Sequence, residues 1–463
     1  MLLRRLNPFA GLEHPRRVWA WGMFDLANQS FTLLINTLLF GVFFREVVAG
    51  RATGQDGDFL WGLTVAISLA VVVVTGPVIG ALADCYVWKK KLLVAFGVMC
   101  VALTACLAAT PTGDAGLLAL AVAMAIYIPA NVAYNVGENL LAAFIPELAR
   151  RENVARVSAI GWTMGYLGAL SLLVISGAMV AAFGWGDPEQ WRPLFVFAAG
   201  WFALMAVPTV LFLPDGGTPQ QLPAARTVVG AGFKRVADSI RHAADYRDLA
   251  TFLCAFFVYG FGVQAVIFFA GIIAKSDFGF ETGALIGFTG VITVTAGVGA
   301  VTTGVIQDRL GHRNTIGLFL LLWVATALGL AMTTLALDRH VAGGGAAGEF
   351  SRWPIWVIGN LIGLGLGGIG SASRAMVGFF TPRHRTAEIY GLWGLAYKSA
   401  GAIGAVGFGG LREAFGAVAA LLALAAVFAV GGAGVTLVNE RRGSARASEA
   451  ERRVLDERDG SAA

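Results

Sequence analysis

The sequence predicts an all-α integral membrane protein with twelve transmembrane helices arranged as two pseudo-symmetric six-helix bundles. Of its 463 residues, 57% are hydrophobic and only 14% are charged, whereas soluble domains carry about 25% charged residues. The apolar residues form runs of roughly 20 or more, the length that a helix needs to cross the hydrocarbon layer. Stretches such as 63–80 and 318–335 have no polar face, which argues against a large soluble helical protein.

The spans follow from these runs and from the short charged loops that separate them. We expect helices at 17–44, 59–83, 91–110, 115–141, 155–183, 192–213, 248–275, 281–306, 314–336, 354–380, 386–411 and 415–438. An even number of spans places both termini on one side of the membrane. On that side lie 26 of the 34 Lys and Arg residues; the other side has 7, and Lys398 lies within a helix. The positive-inside rule then predicts that both termini are cytoplasmic. The Arg-rich, Ala- and Gly-rich composition favours a bacterial origin, and hence a bacterial inner membrane.

The longest connection, 214–247, carries five basic residues and is expected to lie against anionic headgroups. It divides the chain into an N-terminal bundle, 1–213, and a C-terminal bundle, 248–438. The tail, 439–463, alternates in charge, which predicts a solvated helix or disorder. Residues 1–17 hold four arginines and no apolar stretch long enough for a cleavable signal, so we expect the first helix to be retained.

The two halves match each other at three places in the same order, which indicates an internal repeat. In the first pair, Gly80-Ala-Leu-Ala-Asp84, followed by Lys89, matches Gly304-Val-Ile-Gln-Asp308-Arg309, followed by Gly311 and Arg313. In the second pair, Phe144-Ile-Pro146 matches Phe380-Thr-Pro382. In the third pair, Trp162-x-x-x-Tyr166 matches Trp393-x-x-x-Tyr397. A duplicated six-helix unit is the architecture expected for alternating access, in which two similar bundles rock about a site between them.

The segment from Gly304 to Arg313 resembles the loop signature of the major facilitator superfamily. The resemblance implies that the loop Asp and basic residues latch the cytoplasmic ends of the two bundles. The cytoplasmic gate is therefore assigned to Gly80, Asp84, Lys89, Gly304, Asp308, Arg309, Gly311 and Arg313. The first copy departs from the pattern, with Val87 and Trp88 where Gly and a basic residue are usual.

Further motifs narrow the resemblance to the vacuolar-effluxer branch of that superfamily, whose eukaryotic members are autophagy-related amino-acid effluxers. They are Trp21-x-x-Phe-Asp-Leu-Ala-Asn28, Tyr134-Asn135, Arg156-Val-Ser-x-x-Gly-Trp162 with Gly165-Tyr-Leu-Gly168, and Gly367-Gly368 with Ser373-Arg374. The resemblance covers most of 17–411 and implies a bacterial member of this branch. It makes an amino acid leaving a cell or compartment the leading substrate class, and helices one, four, seven and ten the lining of the central cavity.

Four charged residues lie within the expected spans: Asp25, Glu138, Arg374 and Lys398. Each costs about 2.5–3.5 kcal/mol at the bilayer centre on insertion scales, so they are expected to face protein or water. Helical spacing places polar stripes on helices one, four and ten. The candidate residues for substrate or proton binding are Asp25, Asn28, Asn131, Tyr134, Asn135, Glu138, Arg374, Tyr397 and Lys398.

Structural roles are open for several of these residues. Arg374 is equally suited to bind Asp308 in the cytoplasmic latch. Glu138 is also suited to cap a helix or to form an ion pair with the lysine run 89–91. Asp25 is also suited to a hydrogen bond at a helix crossing, and Lys398 to snorkelling. Both Trp-x-x-x-Tyr pairs favour packing over lining a cavity.

The function expected from these features is secondary transport of a small polar solute, with protons as the coupling ion and Asp25 or Glu138 as the proton carrier. The alternatives are a lipid-modifying membrane enzyme and a non-transporting sensor. No catalytic residues, metal or cofactor are expected, because the His and Cys residues lie apart in the sequence and Gly363-x-Gly-x-x-Gly368 sits in an apolar helix rather than after a strand. We expect a monomer in the lipid bilayer, without a nucleic-acid partner.

Overall fold

The computed structural model is helical along the spans that the sequence predicts. It describes residue 9 and residues 12–54, 57–86, 88–148, 154–214, 230, 234, 236–238, 240–241, 246–346, 349–382 and 386–460. The linker 214–247 falls largely outside these residues, as does the side chain of Asp84. Eleven described helices are long and apolar enough to span a membrane.

The first six of them are α1 (Pro15–Thr53), α2 (Asp58–Tyr86), α3 (Lys89–Cys106), α4 (Leu117–Ala142), α5 (Val154–Phe183) and α6 (Arg192–Phe212). The others are α7 (Arg247–Ile272), α8 (Thr282–Leu310), α9 (His312–Ala342), α10 (Trp353–Phe380) and α11 (Thr386–Thr436). A charged helix, Glu440–Gly460, follows them and is called the tail helix.

Helix α11 contains two of the twelve expected spans. Its 51 residues would extend about 77 Å, more than twice the roughly 30 Å of the hydrocarbon layer. Gly416 interrupts it with φ 83° and ψ 170°, a left-handed conformation that favours glycine. The break falls next to the expected boundary between 386–411 and 415–438, so α11 covers both of these expected spans.

Helix α1 is longer than the predicted span 17–44, and this boundary was wrong. Arg45 and Glu46 suggested a loop, but Arg45 pairs with the buried Asp58 at 2.9 Å and Glu46 accepts a hydrogen bond from Ser276 at 2.5 Å. Because these partners satisfy both charges, the helix continues to Thr53. Two parts of it, Ser30–Leu39 and Phe44–Ala49, are π-helical, a form that often occurs at functional sites.

The chain divides into two compact units, and the division runs through α7. Unit one comprises Met1–Gly232 and Phe268–Gly290, and unit two comprises Phe233–Ile267 and Val291–Ala463. Within unit one, the Trp61 indole donates to the carbonyl of Phe268 at 3.0 Å, and Gly271 lies directly against the carbonyl of Leu38. These contacts join the second part of α7 to α1 and α2.

Glycines let helices approach each other closely within each unit, as small residues do in membrane bundles. In unit one, a Cβ at Gly168 of α5 would lie 2.5 Å from the carbonyl oxygen of Leu26 in α1. In unit two, Gly367 of α10 lies against the backbone of Ala296, and Gly368 lies against the ring of Phe319. The apparent dinucleotide fingerprint in α10 is therefore a helix-packing surface.

The first turn of the tail helix is anchored to unit two. Asp248, at the start of α7, accepts hydrogen bonds from Arg442 Nε at 2.6 Å and Nη2 at 2.7 Å, and from the Asn439 backbone N–H at 2.9 Å. Glu440 Oε1 accepts the backbone N–H of Arg313 at 2.5 Å. The Arg442 guanidinium has a raised pKa because its hydrogen bond to Asp248 favours the charged form.

Candidate functional site

Four predicted site residues come together where α1 crosses α4, and they form the helix-one cluster: Asp25, Asn28, Tyr134 and Glu138. The Asn28 Nδ2 group donates to the Glu138 carboxylate. Asp25 lies one helical turn before Asn28, and both Asp25 and Glu138 act electrostatically on Tyr134, whose hydroxyl is hydrogen-bonded to Thr32. The cluster therefore combines two carboxylates, an amide and a phenol at one helix crossing.

The amide oxygen of Asn28 gives this cluster an unused acceptor. Asn28 is 1% exposed, and its Oδ1 has no hydrogen-bond partner within the described part of the chain. A buried polar atom that lacks a partner costs about 1–3 kcal/mol. This oxygen, beside the Glu138 carboxylate, is thus suited to a donor or cationic group that the polypeptide does not supply.

Helix α5 positions Asp25 through a glycine. A Cβ at Gly161 would lie 2.7 Å from Asp25 Oδ2 and 2.6 Å from the Trp21 ring. The Trp21 indole, one turn earlier on α1, donates to the carbonyl of Leu141 on α4 at 2.8 Å. The absence of a side chain at Gly161 therefore fixes where both α1 side chains lie.

A second group of polar side chains forms a continuous chain of hydrogen bonds, the asparagine network of Asn36, Ser68, Tyr127, Asn131 and Asn135. The Tyr127 hydroxyl donates to Asn36 Oδ1 at 2.5 Å, and Asn36 Nδ2 donates to Asn131 Oδ1 at 3.2 Å. Asn131 Nδ2 then donates to Ser68 Oγ at 2.6 Å, while Asn135 Nδ2 donates to Asn131 Oδ1 at 2.9 Å. The network ties α1, α2 and α4 together.

Two predicted binding residues, Asn131 and Asn135, belong to this network. They are 0% and 4% exposed, and protein groups satisfy the Asn131 amide. Their contact with a solute stays a prediction, and bracing is the role that the geometry supports directly. Tyr127 and Ser68 were not among the predicted site residues. Tyr127 lies four residues before Asn131, on the same helical stripe, so spacing could have identified it. Ser68 belongs to no polar pattern in α2.

In unit two, the predicted residues Arg374 and Tyr397 lie in an aromatic group. The Arg374 guanidinium lies 5.9 Å from the centre of the Trp393 ring, within the range of cation–π attraction. Tyr397 stacks on Trp393 with ring centres 6.3 Å apart, and Phe256 of α7 lies 5.4 Å from Trp393 and 5.8 Å from Tyr397. We call Phe256, Arg374, Trp393 and Tyr397 the arginine–aromatic cluster.

This cluster contains an unused donor. The Trp393 Nε1 atom is buried and has no hydrogen-bond partner among the described residues. Lys398, the residue after Tyr397, is half-buried. Beside the cluster, the hydroxyls of Tyr259 and Ser373 lie 2.7 Å apart, so α7 contributes a polar group although no polar stripe was predicted on it.

The two copies of the Trp-x-x-x-Tyr repeat differ in their surroundings. In the first copy, the Trp162 and Tyr166 rings lie 6.1 Å apart and Trp162 is 52% exposed. In the second copy, both rings pack within the arginine–aromatic cluster. The sequence repeat therefore does not imply the same role for the two pairs.

The first copy of the predicted gate is partly described. Lys89 forms an ion pair with Glu147 at 2.8 Å, a link between the start of α3 and the segment after α4. A Cβ added at Gly80 would meet no atom within 4 Å, so its small size is not needed for packing within the described structure. The side chain of Asp84 lies outside the described residues.

The second copy of the gate is organised by the tail helix. Gly304, Asp308 and Arg309 are exposed along the last turns of α8. Gly311 adopts φ 79° between α8 and α9, and a Cβ there would lie 3.2 Å from the Glu440 carboxylate. Glu440 thus binds the beginning of α9, where unpaired N–H groups favour an anion. No local sequence pattern indicates this contact, because Glu440 and Arg313 are far apart in the chain.

Comparison with known proteins agrees with this architecture. The model of the family described as "Vacuole effluxer Atg22 like" matches residues 60–448. The chain is 24% identical over 388 residues to an uncharacterized MFS-type transporter, YxiO, of Bacillus subtilis, covering 82% of this chain and 85% of that one. It is 27% identical over 259 residues to Autophagy-related protein 22-2 of Aspergillus clavatus, covering 53% of this chain but only 41% of that protein.

Solved structures of transporters share the fold. A peptide transporter, POT, matches with a TM-score of 0.64 at 16% identity, covering 92% of this chain and 94% of that one. The nucleoside transporter NupG matches with a TM-score of 0.63 at 15% identity, covering 91% and 98%. YxiO, POT and NupG are all named as transporters, which argues against the alternative of a lipid-modifying enzyme. The chain is a major facilitator-type transporter and belongs to the vacuole effluxer Atg22-like family.

Proposed function

We propose that this protein is a secondary active transporter that moves a small polar solute by alternating access, with an amino acid leaving the cell as the leading substrate. The observation that carries the proposal is the helix-one cluster, in which the unused Asn28 oxygen lies beside the Glu138 carboxylate. Acceptors and negative charge together suit the ammonium group of a solute. Asp25 and Glu138 are the candidate carriers of a coupling proton.

The arginine–aromatic cluster supports the same substrate class from unit two. Arg374 supplies a permanent positive charge, and Trp393 supplies an N–H that has no acceptor in the described chain. A solute carboxylate would accept hydrogen bonds from both groups. Within unit two, a donor-rich cluster of this kind suits the carboxylate end of an amino acid.

The two six-helix halves, 1–213 and 248–438, are proposed as the bodies that move, joined by the linker 214–247. The gate residues at the ends of α2 and α8 are proposed to act where the halves change their separation. In this scheme Lys398 supplies a further positive charge to unit two, and protons are the coupling ion.

The proposal is tested by uptake into proteoliposomes with an imposed pH gradient. The solutes are a panel of amino acids, together with the matching amines that lack the carboxylate and the matching 2-keto acids that lack the ammonium group. We expect intact amino acids to be transported and both analogue classes to be poor substrates. Asp25→Asn and Glu138→Gln should each lower proton-driven transport about tenfold or more, since a lost charge-assisted hydrogen bond costs about 1.5–3 kcal/mol.

Glu349→Gln is the matched control, because it makes the same chemical change as Glu138→Gln at a residue that is exposed in the loop before α10. It should transport like the wild type. Unchanged pH-dependent transport in both cluster variants would remove the coupling role of Asp25 and Glu138. Equal transport of amines and amino acids would remove the carboxylate role of Arg374 and Trp393.

A further inference from the structure

A groove of about 130 Å³ opens where α7 begins, between α7 and the tail helix. Three arginines line it: Arg247 at the first position of α7, and Arg442 and Arg446 on the tail helix. Its apolar wall consists of Leu249 and Phe380. A basic groove with an apolar wall is suited to an amphipathic, anionic ligand.

Two of the three arginines that line the groove remain available to bind a ligand. Asp248, the acid that lines it, accepts both hydrogen bonds of Arg442 and neutralises that guanidinium. Arg247 and Arg446 are exposed. Arg446 lies 3.9 Å from Glu449, beyond hydrogen-bonding distance, and an exposed pair of this kind contributes little. The groove therefore presents a net positive charge to whatever enters it.

The ends of three apolar helices fix the level of the groove relative to the membrane. Arg247 is the first residue of a candidate span, Phe380 is the last residue of another, and α11 ends at Thr436 beside the tail helix. These spans of 31 and 28 residues are about 42–47 Å long, close to the roughly 40–45 Å thickness of a bilayer with its headgroups, so their ends lie at headgroup depth. Tyr246 also lines the groove, and tyrosine is enriched at this interface.

We propose that this groove binds the headgroup of an anionic phospholipid. Arg247 and Arg446 would hold the phosphate, while Asp248 keeps Arg442 in place beside it. Guanidinium groups match phosphate geometry, and basic pockets at the ends of membrane helices bind anionic headgroups. The lipid would contact both α7 and the tail helix. This site is separate from the solute clusters and does not depend on what the protein transports.

Lipid titration of the purified full-length protein tests the proposal. Phosphatidylglycerol or phosphatidylcholine is added to the detergent-solubilised protein, and the thermal unfolding midpoint is measured at each lipid fraction. We expect a saturable rise with phosphatidylglycerol and no such rise with phosphatidylcholine. Arg247→Gln and Arg446→Gln should each raise the half-saturating lipid about fivefold, and the double variant about 25-fold.

Arg441→Gln is the matched control, because Arg441 is an exposed arginine of the same tail helix but does not line the groove. It should titrate like the wild type. The proposal fails if the double variant titrates with phosphatidylglycerol like the wild type. It also fails if phosphatidylcholine raises the unfolding midpoint equally, or if inorganic phosphate reproduces the whole rise. The wild type gives an independent check, since the preference for phosphatidylglycerol must weaken as NaCl is raised.

Discussion

At the scale of single residues, the candidate site depends on glycine as much as on the charged side chains. Gly161 admits the Trp21 ring and the Asp25 carboxylate into the crossing of α1 and α5. A methyl group at this position would enter space that both side chains occupy. Tight packing, in addition to hydrogen bonding, therefore holds Asp25 in the helix-one cluster.

Gly161→Ala should destabilise the protein by about 1–3 kcal/mol, the usual cost of overpacking, and should reduce transport because Asp25 is displaced. Chemical unfolding and proteoliposome uptake measure the two effects. Gly200→Ala in α6 is the control, because a Cβ there meets no atom within 4 Å. A Gly161→Ala protein with wild-type stability and transport would show that the crossing tolerates the methyl group.

At the scale of helices, the tail helix is a structural part of unit two. Its first turn binds the start of α7 through Asp248 and the start of α9 through Glu440. Gly443 packs closely on Phe380 at the end of α10. One short segment thus fastens the ends of three membrane helices.

Asp248→Asn should lower the thermal unfolding midpoint by a few degrees, because it removes the charge that holds Arg442. Arg442→Gln should have a similar effect, since it leaves the buried Asp248 carboxylate without its bidentate partner. Differential scanning fluorimetry of the full-length protein measures both. If Arg441→Gln lowers the midpoint as much as these variants do, general charge loss rather than the anchor is responsible.

At the scale of the whole molecule, the distribution of basic residues predicts a topology that labelling can test. In a variant whose four native cysteines are replaced by alanine, single cysteines are introduced at Gly344, between α9 and α10, and at Ala445 in the tail helix. A membrane-impermeant maleimide should label position 344 in intact cells and position 445 only after permeabilisation. The reverse pattern would invert the predicted orientation.

The elements of the fold were predictable from local sequence. Apolar runs of about 20 residues specify spanning helices, because lipid offers the backbone no alternative hydrogen-bond partner. Helical spacing also predicted a polar stripe on helix one, which includes Asp25 and Asn28, and one on helix four, which comprises Asn131, Asn135 and Glu138. Boundaries were less reliable: the charges of Arg45 and Glu46 concealed the continuation of α1, because their partners are distant in sequence.

The sequence by itself determined that this protein crosses the membrane many times, in two related halves, with charged residues and asparagines placed inside its spans. Only the tertiary structure decided which of those residues form hydrogen bonds with other protein groups and which keep a polar atom for a ligand. The oxygen and the nitrogen of the Asn131 amide both have protein partners, whereas the Asn28 oxygen has none within the described part of the chain. The physical reason is that a spacing along one helix fixes a face, but a hydrogen bond between helices depends on neighbours that are distant in the chain.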